Sequence, residues 1–374
     1  MDRITALDRT VTAPVVPDGL DTPAVIVDLD RVDANIERMQ ALLDGRGVAL
    51  RPHAKTHKSP FFADRQLAAG AVGITVAVLG EAEVMADAGI EDIFVAYPLW
   101  AVGAKARRLV DLAGRSRLAV GADSVEGAEQ LGRAAAQGAA RFDVLIEVDP
   151  GEGRTGTDAS RVVDVARAVT DAGLTLRGVF THGGHAYRGP ERVAGAADDE
   201  GTTLGAALHA LNDAGFDLPV VSAGSTPTVA AASAAPITEE RPGTYVFGDR
   251  QQVNLGGSDP GTLALAVAAT VVSTAVAGGC VLDAGAKAIA KDKPDWLAGH
   301  GVVPQLPGAI VRSVYDHHAV LELPEDLPRP RVGDVVAVVP NHVCPVVNLT
   351  DELVLTRAGE TVERLPVAAR GRNS

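Results

Sequence analysis

VALRPHAKTHKSPFFADRQLAAG (48–70) decides how the rest of the chain is read. It opens on a short apolar run, turns into Arg51, His53, Lys55, His57 and Lys58, and continues as a helical pattern closing on Gly70. A strand, a charged turn and a helix in that order make the repeating unit of a parallel α/β fold. The cations run against the chain's own balance. Its 374 residues carry a formal net charge of −14, and two of its six lysines fall within four residues here.

Working outward, apolar runs recur as GITVAV (73–78), DIFVAYP (92–98), RLAVGAD (117–123), FDVLIEVD (142–149), LRGVFTH (176–182), PVVSAG (219–224) and TYVFGD (244–249). Helical patterns lie between them, such as GEAEVMADAG, SVEGAEQLGRAAAQG and ASRVVDVARAVTDAG, and several stop on Gly. Eight such units predict an α/β fold, a parallel (β/α)8 TIM-type barrel over residues 31–255. A doubly wound open sheet competes, but no GxGxxG follows the first strand. Beyond residue 255 short strands with Gly/Pro punctuation predict a C-terminal β-rich domain, 256–374, in which convincing helices are scarce. AVIVDLD (24–30) precedes the barrel, so residues 1–30 are expected to join that domain. TLALAVAATVVSTAVAGGCVL (262–282) reads as a buried strand, and the tail AARGRNS (368–374) as loose.

Hydrophobic content of 47% with 22% charge describes a globular protein. No apolar run suits a membrane span and no leader pattern opens the chain, so no membrane partner is expected. The acidic balance argues against nucleic acid. Two cysteines, Cys280 and Cys344, build no disulfide framework and point to a cytoplasmic setting.

A barrel of this kind carries its active site at the C-terminal ends of its strands. Lys55 emerges there among cations that disfavour its protonation, as a Schiff-base lysine requires. A solvated basic loop or a phosphate clamp is the plainer alternative. The other strand ends bring Arg154 in EVDPGEGRTG (147–156) and His182, His185 and Tyr187 in THGGHAY (181–187). They also bring SAGSTPT (222–228), whose small residues let backbone N–H groups and hydroxyls surround a phosphate. In NHVCPVVNL (341–349), read as a strand, His342 and Cys344 share a face, and an imidazole with a thiolate suits Zn²⁺. A buried cysteine beside an exposed histidine is the alternative.

RPHAKTHK, EVDPGEGRTG, SAGSTPT, RPGTYVFGD, LDAGAKAIAKD and the HxC near the end together resemble the D-serine dehydratase/D-threonine aldolase family. These are pyridoxal-phosphate (PLP) enzymes of the alanine-racemase fold type III, and the likeness runs from TPAVIVDLD (22–30) to LPVAARG (365–371). The resemblance implies a PLP-binding barrel with a metal-binding β domain, a homodimer, and a divalent metal, zinc first and manganese second. Carried over, Lys55 holds PLP, Arg154 lies near its ring and Tyr187 lines the pocket. Gly224, Ser225 and Thr226 contact the phosphate, Gly243 and Tyr245 complete its site, and His342 with Cys344 hold the metal. Arg51 and the histidines are expected to position cofactor and lysine, with Lys55 or His185 as the base for the Cα proton.

The family implies a lyase acting on small β-hydroxy D-amino acids. Within it an HxC pair resembles the dehydratases, which eliminate the β-hydroxyl to give a keto acid and ammonia, whereas aldolases tend to carry a carboxylate at the second position. D-Serine, D-threonine and 3-hydroxyaspartate are the candidate substrates, with Arg188 and Arg250 as cations for a second carboxylate. A D-threonine aldolase yielding glycine and an aldehyde is the alternative. An amino-acid racemase or a non-catalytic PLP-binding protein follows it.

Overall fold

In the computed structural model, which describes residues 5–231 and 236–374, the first sheet strand is β1 (Ala24–Asp28), followed by α1 (Leu29–Asp44). Asp28 ends the strand and caps the helix, its carboxylate accepting the N–H groups of Asp30 and Arg31. Eight parallel strands come next. They are β2 (Ala49–Leu50), β3 (Ile74–Val76), β4 (Asp92–Pro98), β5 (Arg117–Ala122), β6 (Asp143–Glu147), β7 (Thr175–Phe180), β8 (Val220–Ala223) and β9 (Glu239–Glu240). Each pairs with the next in sequence from β3 to β9, and β9 pairs with β2. A parallel bridge between His53 and Thr75 joins the end of β2 to β3 and closes the barrel.

The crossovers are α2 (Pro60–Ala68), α3 (Leu79–Asp87), α4 (Ala104–Ala113), α5 (Val125–Gly138), α6 (Val162–Asp171), α7 (Val193–Asp213) and the short α8 (Thr226–Ala231). Barrel strands covered by helices are buried on both faces and therefore read as apolar runs rather than alternations. Ile74, Val76, Ile93, Val95, Val120 and Val144 pack in this way under Leu79, Met85, Leu109 and Leu131 of the helices.

The eighth strand is not TYVFGD. Thr244–Val246 coils as a single 3-10 turn, and the strand is Glu239–Glu240, upstream of Pro242 and Gly243. Two glutamates are poor strand formers by propensity, but tertiary contacts override it. Glu239 is held by the Arg51 guanidinium at 2.7 Å and by the Ser222 hydroxyl at 2.6 Å. Tyr245, Val246 and Phe247 instead fill the core between barrel and β domain, where Phe247 meets Phe62 edge-on at 5.1 Å.

Past the short α9 (Arg250–Asn254) lies a nine-stranded sheet. Its strands are β1 with β10 (Leu265–Ser273), β11 (Gly279–Leu282), β12 (Gly301–Val302), β13 (Ile310–Val314), β14 (Ala319–Glu322), β15 (Val335–Pro340), β16 (Glu352–Arg357) and β17 (Glu360–Pro366). β1 lies between β10, antiparallel, and β16, parallel, which ties the N-terminal segment to this sheet. The run 262–282 is thus two strands and a turn rather than one strand.

Two short helices interrupt this β-rich domain, α10 (Ala286–Ile289) and α11 (Val343–Leu349). The second matters for the site. His342 and Cys344 do not share a strand face, because β15 stops at Pro340, His342 caps α11 and Cys344 lies in its first turn. Pro345 suits that turn, where its missing N–H leaves no helical bond unmade. Nor is the tail loose. The Lys58 carbonyl accepts the Ala369 N–H at 2.9 Å, and Lys58 Nζ reaches Asn373 Oδ1 at 3.1 Å. Among the described residues no helix is long and apolar enough to cross a membrane.

Candidate active site

The C-terminal mouth of the barrel holds a cavity of about 260 Å³. Lys55, His53, Glu147, Arg154, His182, Tyr187, Arg241, the loop Gly224–Thr226 and the pair Gly243–Thr244 line it.

The basic run divides as the backbone turns. Ala54–Thr56 forms a 3-10 turn in which His53 Nδ1 accepts the Lys55 N–H, and both side chains face the cavity. The other three leave it, so Arg51 and His57 do not position the cofactor as the sequence led one to expect. Arg51 points down the barrel interior to Asp92 at 2.6 Å and Glu239 at 2.7 Å. His57 is buried against Gln66 Oε1 at 3.2 Å, and burial pushes it down to about 4. Lys58 pairs with Glu81 at 2.8 Å. The physical reason is geometric: a 3-10 turn throws successive side chains about 120° apart, so one run serves several directions.

Burial, then the Lys55 and Arg241 charges, hold His53 well below the usual histidine range. His182 is lowered likewise by burial, then by Lys55, Arg154 and Arg241. Both imidazoles are therefore neutral, and the guanidiniums of Arg154 and Arg241 stand with Lys55 in the cavity wall. Opposing them, Glu147 is pushed up to about 7 by burial. Its Oε1 accepts the Thr155 hydroxyl at 3.0 Å and lies 3.8 Å from Arg154, while its buried Oε2 has no hydrogen-bond partner among the described residues.

Arg241 is, with Glu147 and Thr244, one of the lining residues that sequence reasoning missed. Its guanidinium donates to Ser222 Oγ at 2.6 Å and to the Thr181 carbonyl at 2.5 Å, with the Phe180 ring 5.3 Å away. The signal was present in RPGTYVFGD, but with TYVFGD taken as the strand, Arg241 fell on the wrong side of it. Gly243 lets this segment close on the lysine turn, since a Cβ there would meet Thr56 Oγ1 at 2.9 Å and the His53 carbonyl at 3.0 Å.

The SAGST loop is built differently from a cradle of free N–H groups. The Gly224 N–H is taken by Glu200 Oε1 at 3.2 Å and that of Ser225 by Thr228 Oγ1 at 2.8 Å. Gly224 sits at φ +93°, and a Cβ on it would fall 1.6 Å from Glu240 Oε2. The Thr226 hydroxyl keeps a proton to offer an anion, with Gly243 and Thr244 also in the lining, whereas the Ser225 hydroxyl lies 3.0 Å from Thr228 Oγ1. Tyr245 contributes only its backbone, whose N–H donates to Thr226 Oγ1; its phenol turns into the core and accepts from Gln66 at 2.9 Å.

His185 is not in the cavity. Gly184–Arg188 coils as a 3-10 turn, which sends Tyr187 inward and His185 toward α7, 3.0 Å from Asp199. Arg250 is equally unavailable for a substrate carboxylate. It is fully buried, binding Asp8 through two 2.9 Å contacts and the Ala298 carbonyl at 2.6 Å. Arg188 is exposed and donates to the Glu152 carbonyl at 3.3 Å.

Cys344 and His342 do come together, and they do so beside the lysine turn. The thiol contacts Thr56 Oγ1 at 3.4 Å. Burial works to raise Cys344, but His342, then Lys55, bring it below the usual thiol range. His342 in turn is held well above its usual value, burial being outweighed by Cys344 and Asp292. Among the described residues no three His, Cys, Asp or Glu side chains converge as a metal-ligand group.

Residues 27–251 match the model for the alanine racemase N-terminal domain, and residues 264–356 that for a putative serine dehydratase domain. The chain belongs to the alanine-racemase-like family of PLP enzymes. Within this family it is 37% identical to D-threo-3-hydroxyaspartate dehydratase of Delftia sp. (strain HT23), over 87% of this chain and 91% of that one. The crystal structure of D-threonine aldolase from Filomicrobium marinum superposes with a TM-score of 0.87 at 32% identity, covering 96% of this chain and 98% of that one. A third relative is a cysteine-to-alanine mutant of D-threo-3-hydroxyaspartate dehydratase solved in the metal-free form. It has a TM-score of 0.86 at 34% identity, covering 93% of this chain and 97% of that one. A PLP enzyme of this family needs a lysine, an anion site and cations within one enclosed space, which is what the barrel mouth assembles.

Proposed function

We propose that this enzyme is a PLP- and metal-dependent lyase that removes the β-hydroxyl of small β-hydroxy D-amino acids, giving a keto acid and ammonia. The observation that carries the reading is the position of Cys344 and His342 next to the turn that bears Lys55. PLP, when bound, withdraws electrons from the substrate Cα. Lys55 would hold the cofactor and, once released as a free amine, would take the Cα proton, with the neutral His53 and His182 beside it in the same cavity. Arg154 and Arg241 orient the ring and the substrate carboxylate, and Ser225, Thr226, Gly243 and Thr244 receive the phosphate.

The nitrogen and sulfur donors at 342 and 344 fit a divalent metal with open positions for water and a substrate hydroxyl. Zinc there would polarise the hydroxyl, a poor leaving group. A homodimer is part of the same reading, and light scattering of the purified enzyme tests it.

The experiment is to supply PLP-loaded protein with D-serine, D-threonine and D-threo-3-hydroxyaspartate, with and without a chelator, and to assay keto acid and glycine together. Keto acid lost on chelation and restored by zinc is expected. Glycine with acetaldehyde from D-threonine would make the enzyme an aldolase, a second reading that the likeness to D-threonine aldolase favours.

A further inference from the structure

LDAGAKAIAKD (282–292) contributes no residue to the cavity lining, yet its last residue reaches the metal pair. Asp292 Oδ2 lies 2.6 Å from His342 Nδ1. We propose that Asp292 is a positioning residue of the metal site, fixing the His342 ring so that Nε2 faces the ion that Cys344 also holds. The inference rests on the metal reading given above.

An imidazole ligates a metal through one nitrogen and is steered by whatever the other nitrogen donates to. A carboxylate at Nδ1 accepts a hydrogen bond from that N–H, selects the Nδ1–H tautomer and leaves the Nε2 lone pair free. Without such a partner the ring rotates about its side-chain bonds, and two ligands of an open site lose their shared aim.

The backbone around this contact is over-determined. The Asp292 carbonyl accepts the Asn341 side-chain amide at 2.8 Å, so the residue preceding His342 is tied to the carboxylate's own main chain. Asn341 Oδ1 accepts from Arg250 at 3.1 Å, which links the loop to the buried Arg250–Asp8 pair. From the other side, Asp249 Oδ2 accepts the Val343 N–H at 3.1 Å and fixes the residue between the two ligands. By contrast the Asp292–His342 pair itself is partly open, its side chains 41% and 36% exposed. Exposed pairs of this kind contribute little to stability, so the contact is not needed for the fold. Asp292 meets the ring at Nδ1, on the side away from Nε2, which is the place of an orienting group rather than of a ligand.

The test measures zinc affinity of the PLP-loaded enzyme by competition with a chromophoric chelator, for the parent, Asp292→Asn, Asp292→Ala and His342→Ala. Asp292→Ala is expected to bind zinc about 10- to 100-fold more weakly, with Asp292→Asn between it and the parent. The PLP absorbance and melting temperature should stay unchanged. Cobalt-substituted Asp292→Asn should keep the thiolate charge-transfer band, since Cys344 remains a ligand. Equal affinity in parent and both Asp292 variants overturns the inference and leaves the metal reading standing. Loss of binding as complete as in His342→Ala makes Asp292 a ligand and overturns the inference, and so does loss of the thiolate band, which would mean that Asp292 acts on Cys344 rather than on His342. A parent that binds no zinc removes the metal reading itself, and the inference with it.

Discussion

The lower and upper halves of the barrel interior use the same kinds of charge to opposite ends. In the lower half Arg51 sits between Asp92 and Glu239, Asp92 also receives Arg117, and Glu239 also receives Ser222. Each of these carboxylates is saturated. In the upper half Glu147, Glu200 and Glu240 each keep one buried oxygen with no hydrogen-bond partner among the described residues, Glu147 in the cavity wall and the other two behind the Gly224 loop. A closed network holds strands together, whereas the Glu147 oxygen stands where a group entering the cavity can meet it.

Substitutions in the two halves should therefore fail in different ways. Lys55→Ala should abolish turnover, by at least about 10³-fold, and remove the visible absorbance of bound PLP while the protein still folds. Residual keto acid production at more than a few per cent would break the assignment of Lys55. Arg51→Met should do the reverse, lowering the unfolding free energy by about 3–5 kcal/mol in urea titration, because it strands two buried carboxylates. A cofactor site lost before the fold is lost would show that Arg51 serves the cavity after all.

Glu147→Gln tests the upper half through pH. In the folded protein Glu147 titrates near 7 against a reference of 4.5, so between those values the fold binds a proton that the unfolded chain has released. Stability then falls as pH rises through that window and stays lower above it, by about 3 kcal/mol for a shift of about 2.5 pH units. Cofactor-free Glu147→Gln should escape this decline, so its advantage over the parent should be present at pH 8 and absent at pH 4. An advantage that did not grow with pH would mean that Glu147 is ionised in the fold.

The smallest effect belongs to His185→Ala. A catalytic base costs 10²–10⁴-fold when removed, but a histidine turned toward Asp199 should change kcat/KM by less than about tenfold. A larger loss would put His185 back at the substrate.

Much of the fold was legible in the order of apolar runs. Six of the eight barrel strands fall within the runs read as strands and a seventh, β7, starts one residue before its run, since a helix-covered parallel strand needs continuous apolar sequence whatever its tertiary partners. The eighth, Glu239–Glu240, was hidden because its two side chains take their place from buried partners, Arg51 and Ser222 for Glu239, that are distant in sequence. The site was legible in its types: Lys55, Arg154, Tyr187, Gly224, Ser225, Thr226 and Gly243 all line the cavity.

By itself the sequence determined the unit of strand, charged turn and helix, the small-residue loop, and the HxC pair, all of them local patterns of a few residues. Which of the charges face the cavity was decided only in three dimensions. Arg51, His57 and Lys58 leave Lys55, Arg241 arrives, His185 gives way to Tyr187, and Asp292 comes within hydrogen-bond reach of His342. The direction of a side chain at the end of a strand depends on whether the backbone stays extended or coils there. That choice is made by packing against elements far along the chain.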